Sequence, residues 1–183
     1  MSSSDGQAPA DEEMSAEEFE DLPTSDVEVE IRIGFGMTGS FPLRLADLFF
    51  VEDGLYVAEY EYLTPIFGLG ARKHRREAAA MERVYEVHGV DEVLLQADTV
   101  VWHAYDNLDR VTLHDGGRLG RPRIGVYPDV GSSHAYRLHD REQSDIAALG
   151  GDLDTWLSAR GVAFEEASGL GYRPGESITR FFD

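Results

Sequence analysis

Eight of the 16 basic residues of this chain fall in two short stretches. Arg72, Lys73, Arg75 and Arg76 form the first, with His74 among them; Arg110, Arg118, Arg121 and Arg123 form the second. Their surroundings are acidic, because 35 Asp and Glu residues set the net charge at −19. Clustered guanidinium groups bind phosphate or carboxylate through paired N–H donors. Gly116, Gly117 and Gly120 lie within the second stretch and would let backbone N–H groups approach the same anion. Just ahead of the first stretch come Ile66, Phe67 and Leu69, and an apolar loop tip followed by bases is how membrane-surface loops are built. The predicted chemistry is noncovalent recognition. Arg72, Lys73, Arg75, Arg76, Arg118, Arg121 and Arg123 would bind an anion or partner, and Ile66, Phe67 and Leu69 would form a membrane or partner loop. The competing use is internal, with the arginines paired to the chain's own carboxylates and Ile66 and Phe67 plugging the core.

Covalent and metal chemistry find little support. With no cysteine, disulfides, thiolate metal sites and a Cys nucleophile are excluded. No GxSxG, GxxxxGK[ST], strand-linked GxGxxG or HExxH pattern occurs. His74, His88, His103, His114, His134 and His139 lack the short spacing of a ligand pair, so no metal site, cofactor or catalytic residue is expected. An alternative reading is a small enzyme or ligand carrier, its pocket lined by Tyr56, Tyr60, Trp102 and His103.

The acidity argues against general nucleic-acid binding, which needs a basic footprint to displace phosphate counterions. Fifteen of the bases are Arg and one is Lys, and such acid excess is expected of a protein kept in solution at near-saturated salt, a halophilic and archaeal signature. The first residues contain no basic region followed by a long apolar run, so no secretory signal is read. Tyr62–Ala71 is the longest uncharged apolar stretch, 10 residues with Pro65 inside, too short to span a bilayer. A cytoplasmic location is expected, with membrane contact at most peripheral. Residues 1–26 carry nine acids and no base. Few apolar residues lie among them, so they are expected to be a disordered acidic tail.

These side chains need elements to position them. Val27 to Ile33 alternates apolar and charged residues in the period-2 pattern of a half-buried strand. After the Gly-rich stretch Gly34, Gly36 and Gly39, two β-rich runs are joined by Asp53-Gly54, a hairpin signal. Helical spacing through Met81, Val84, Tyr85 and His88 predicts a helical segment at about 75–97 with a stop at Gly89. Cations at the start of that helix would oppose its dipole, which favours a loop or a bound anion at 72–76. Strands are predicted at Val100–Tyr105, Arg110–His114, Arg123–Tyr127 and His134–His139. Asp140 with Gln143 resembles a capping box. It would open a helix with the apolar stripe Ile146, Leu149, Leu153, Trp156 and Leu157, broken at Gly150-Gly151 and stopped by Gly161. The organisation read is a tail (1–26), one domain (27–165) and a loose C-terminal segment (166–183).

The segments ADLFFVEDGLYVAEY and YDNLDRVTLHDGG with RIGVY, followed by a helix bearing Trp156, resemble a pleckstrin-homology-like domain of the bacterial PH and GRAM group. The resemblance covers about half the chain. It implies an α+β fold, mainly antiparallel β: a partly open barrel capped by the C-terminal amphipathic helix, with residues 75–97 as a helical insertion. It also implies a binding module for a protein or a membrane lipid, without catalysis.

Overall fold

A computed structural model describes residues 27–39, 43–63, 70–117, 120–139 and 141–168. The expected tail, the loop residues Ile66, Phe67 and Leu69, Arg118 and Asp140 lie outside the described residues. Eight strands are described: β1 (Ile31–Thr38), β2 (Leu43–Phe50), β3 (Gly54–Leu63), β4 (Thr99–Ala104), β5 (Leu108–His114), β6 (Arg123–Pro128), β7 (His134–Leu138) and β8 (Ala163–Ala167). They form one open sheet in the order β4-β3-β2-β1-β7-β6-β5-β8, antiparallel throughout except for β5 with β8. Helix α1 (Gly70–Gln96) joins β3 to β4, and α2 (Gln143–Ser158) joins β7 to β8. The fold is α+β and mainly antiparallel.

Two apolar clusters sit on opposite faces of this sheet. The inner one gathers Leu48, Phe50, Val57, Val111, Ile124 and Tyr136 beneath the stripe Ile146, Leu149, Leu153 and Leu157 of α2. The outer one packs Leu45, Phe49 and Tyr60 against Met81, Val90 and Val93 of α1. Both faces of β2 are therefore covered, which is why residues 45–50 are all buried.

Several elements depart from the sequence reading. β1 begins at Ile31, not at Val27; Val27 and Val29 instead pack against the outer cluster, so their alternation serves burial without a ladder. Of the glycines expected to form a loop, Gly34 and Gly36 belong to β1, where the register with β2 shifts between Ile33 and Gly36, while Gly39 follows the strand. This bulge places Phe35 at φ 56°, and Gly36 has little room for a side chain, since a Cβ there would meet the Ala46 carbonyl oxygen at 3.0 Å.

Helix α1 starts at Gly70, so residues 72–76 are helical and not a loop. Ala71, Arg72, Lys73, Arg75 and Arg76 are strong helix formers, and burial of Ala78 and Met81 one turn later outweighs the dipole penalty. At Gly89 the backbone turns to φ 80°, dividing α1 where the stop was expected. α2 is capped by Glu142 and Asp145 in a reciprocal box, so Asp140 is not its N-cap. The helix runs unbroken through Gly150-Gly151. Gly150 lies against β8, where an added Cβ would come within 3.3 Å of the Glu166 carboxylate. β8 itself was read as loose from residue 166, yet it pairs along β5 from Arg110↔Ala163 to His114↔Ala167.

Candidate functional site: a cleft over the β1 bulge

Asp47 interrupts the apolar run of β2 on the face that meets α1, and its side chain is 1% exposed. Leaving a carboxylate there without partners would cost several kcal/mol. Its Oδ2 accepts from Arg32 Nη2 at 2.8 Å. Oδ1 accepts from the Phe35 backbone N–H at 3.0 Å and from the Tyr60 hydroxyl at 2.9 Å. The Phe35 amide is available because the bulge turns it away from the ladder. Burial first, and then the Asp47 charge, push the Tyr60 phenol far above its usual range, so it stays a proton donor. Arg32 is held from its other sides as well: its guanidinium lies 4.3 Å from the Tyr85 ring centre, and Nη1 is 3.8 Å from Glu82. Asp47 thus ties β1, β2 and β3 together beneath α1.

Above this anchor opens a cleft of about 520 Å³. Its floor is Gly34 and Phe35 of the bulge, with Arg32. One wall is the α1 face carrying Arg75, Ala78, Ala79 and Glu82. His139, Arg141 and Asp145, from the link into α2, make the other wall. The His139 ring packs on Phe35 with centroids 5.0 Å apart. Its Nδ1 lies 3.2 Å from the Arg137 carbonyl, an acceptor, which makes Nδ1 the protonated nitrogen. Asp47 neutralises Arg32; beside the carboxylates of Glu82 and Asp145, the cleft is lined by two further cations, Arg75 and Arg141. The first turn of α1 contains no acid, so its dipole adds to their field.

Of the expected anion-binding residues, Arg75 lines this cleft. Lys73 and Arg76 are exposed on the same helix, with Arg76 Nη2 3.2 Å from Glu77. Arg72 is part of α1, its side chain outside the description. Arg121 and Arg123 do not line the cleft; Arg123 begins β6 and pairs in register with His114 and Arg137. The neighbouring glycine loop is engaged with itself: Gly117 N–H donates to Asp115 Oδ1 at 2.8 Å, and Gly120 N–H to the Gly116 carbonyl at 2.8 Å. Arg110 bonds Asp109 at 2.7 Å and stacks over Tyr127.

The alternative pocket residues are divided by the pleat. Tyr56 pairs with Trp102 across β3 and β4, their rings 4.3 Å apart, and Tyr60 shares that outer face. His103 pairs with Leu55 of the inner cluster, on the opposite face. Burial, followed by the charge of His134, holds the His103 imidazole below its usual range. Among the described residues no three His, Asp or Glu side chains come close enough to hold a metal ion, and no helix is long and apolar enough to cross a membrane.

Arg32, Asp47 and Arg141 were missed by the sequence reading, and His139 was weighed there only as a metal ligand. The signal for Asp47 was its position as the one acid in the run LADLFF. The others lie far apart in sequence and are joined by the fold alone.

No family model and no curated protein matches this chain. Among solved structures it is similar to the hSac2 domain from human phosphoinositide phosphatase Sac2, at 12% identity and a TM-score of 0.46, over 90% of this chain and 98% of that one. At that score the likeness carries no functional argument.

Proposed function

We propose that this chain is a noncatalytic binding module of PH-like type that takes an acidic segment of a partner protein in the cleft over the β1 bulge. The PH-like reading is supported by the order of elements: a meander β1–β4, a second meander β5–β7, then the amphipathic helix α2. The observation that carries the function is the meeting of Arg75 and Arg141, from segments 66 positions apart in an acidic chain, on either side of one cleft. Guanidinium groups placed this way grip carboxylates by paired hydrogen bonds. Gly34 and Phe35 of the floor, with Ala78 and Ala79 of the α1 wall, would take the stem or ring between the charges.

Titration with labelled polyglutamate tests this. Arg75→Glu with Arg141→Glu should weaken binding at least about a hundredfold, the effect of losing two charge-assisted contacts at roughly 1.5 kcal/mol each. Equal binding by wild type and variant would refute it. Vesicles of phosphatidylglycerol serve as the second arm: co-sedimentation with vesicles, without affinity for polyglutamate, would assign the cleft to an anionic membrane surface.

A further inference from the structure

Strand β4 ends the sheet on one side, with β3 as its only ladder partner among the described residues. The direction of its backbone groups follows from one bond. Tyr105 N–H donates to the Asp53 carbonyl at 3.3 Å, and these residues stand opposite each other one step beyond the Gly54↔Ala104 pair. Bonded pairs recur at every second residue of an antiparallel ladder, so His103, Val101 and Thr99 turn their N–H and C=O groups towards β3. Val100 and Trp102 turn theirs outward. The other side of β3 has the same phase: Val51 N–H donates to the Gly54 carbonyl, which makes Phe49↔Tyr56 and Asp47↔Ala58 bonded pairs with β2, and Tyr56 and Ala58 are the residues that face Trp102 and Val100.

Val100 and Trp102 also expose their side chains, so β4 offers open backbone groups and apolar surface at the same two positions. Edges are ordinarily guarded by a Lys, a Pro or a bulge. β4 reads TVVWHA, without Lys, Arg, Asp, Glu or Pro, and its register with β3 runs unbroken from Gly54↔Ala104 to Glu59↔Thr99.

Charge and side-chain size select what covers this edge and how. Asp98 and Asp106 flank β4. A second β4 laid antiparallel can meet the outward groups in registers centred on Val100, Val101 or Trp102. The first sets Trp102 against Asp98 of the other copy, and the last sets Asp98 against Asp106 and indole against indole. Centred on Val101, Val100 and Trp102 exchange N–H···O=C bonds reciprocally, each indole lies beside a smaller valine, Thr99 faces His103, and Asp98 faces Ala104. The strand is thus complementary to itself, which a two-fold contact requires.

We infer that two copies of this chain join edge to edge through β4, antiparallel about a two-fold axis at Val101. No residue lining the cleft belongs to β4, so the inference goes beyond the cleft reading and does not rest on it. A six-residue edge lies at the small end of protein interfaces, and reversible pairing at micromolar concentrations is expected. Two chains of net charge −19 repel each other, so pairing should strengthen as salt shortens the Debye length, to about 3 Å at 1 M.

Sedimentation equilibrium of the full chain at roughly 100 μM in about 1 M salt should report the mass of two chains, falling towards one on dilution or at low salt. Val100→Lys adds the missing guard at an exposed position and should give one chain, whereas Val130→Lys, the same change at an exposed position away from β4, should still pair. Cross-linking reads the register, because the chain has no cysteine of its own. Val101→Cys would meet its counterpart across the axis with Cα atoms about 4.5 Å apart, within disulfide reach, and should link two chains under mild oxidation, with Trp102→Cys linking far less. A mass of one chain under every condition would overturn the inference and leave the edge to a strand of another protein. A pair that survives Val100→Lys, or that links through Trp102→Cys in preference to Val101→Cys, would also overturn it.

Discussion

The Tyr60 hydroxyl donates to Asp47 Oδ1 at 2.9 Å, and this bond joins β3 to β2 under a helix that excludes water from both residues. A similar arrangement occurs on the other face of the sheet. Glu59, buried, takes Arg44 Nη1 at 2.8 Å and a hydrogen bond from Tyr136. Each face of the β2–β3 ladder therefore carries one carboxylate, one arginine and one tyrosine. Buried charge of this kind fixes geometry more than it adds net stability.

Removing one partner should be costly. Asp47→Asn takes from Arg32 its buried counter-ion and leaves it only the exposed Glu82 at 3.8 Å, at a site where the Arg32 side chain is 17% exposed, and unfolding in urea should show a loss of about 3 to 5 kcal/mol. Arg32→Met combined with Asp47→Leu should lose less than Asp47→Asn alone. A double variant as unstable as the sum of its singles would show that the pair is not coupled.

Tyr60→Phe should cost about 1.5 to 3 kcal/mol, the range for a hydrogen bond to a charged group. The same tyrosine shapes the alkaline limb of stability. Its folded phenol is shifted upward, as is that of Tyr136, by burial first. Both contributions are complete below the ordinary phenol value of about 10 and decline as pH rises through it. Denaturation curves collected across that range should show a shallower decline for Tyr60→Phe than for wild type.

The acid limb follows His103 and His114. Burial is the first cause of the downward shift in both, with the charge of Arg123 second at His114. The unfolded chain then binds protons more readily than the folded one, so stability is complete above about pH 6.5 and falls as pH drops below it. His103→Gln with His114→Gln should flatten this slope between pH 6.5 and 5. An unchanged slope would assign the acid sensitivity to carboxylates.

Gly54→Ala tests the packing of the β3–β4 pair. An added Cβ would meet the Trp102 ring at 2.4 Å and the His103 carbonyl oxygen at 2.5 Å. The indole can swing outward, but the His103 carbonyl cannot yield without moving β4, so a loss of about 1 to 3 kcal/mol is expected. Tryptophan emission should shift to the red as the indole is displaced from Tyr56.

How much of this was legible in the sequence depended on range. Patterns that act within a few residues were read well. The Asp53-Gly54 turn, the stop at Gly89, the apolar stripe of α2 and the αL residue Gly161 all appear where local chemistry placed them. Features that depend on a distant partner were misread. Gly34 and Gly36 look like loop residues until the Ala46 backbone is known to press on β1. Ala163–Ala167, with two glutamates and one aromatic residue, becomes a strand because β5 supplies the hydrogen bonds. The cleft shows the same limit: Arg75 belonged to a visible cluster, whereas Arg32 and Arg141 join it through a bulge and a cap that no local spacing encodes.

The parallel pairing of β8 with β5 also bears on how copies of this molecule can aggregate. β8 places the exposed Glu165 and Glu166 along one outer edge of the sheet. At the opposite edge β4 carries no charge, and Val100 and Trp102 are 41% and 39% exposed. Strand addition is thus repelled at one end of the sheet and unguarded at the other. Two copies meeting through β4 would present a glutamate-bearing edge on each outer side, so growth would end at a pair and could not extend into a fibril.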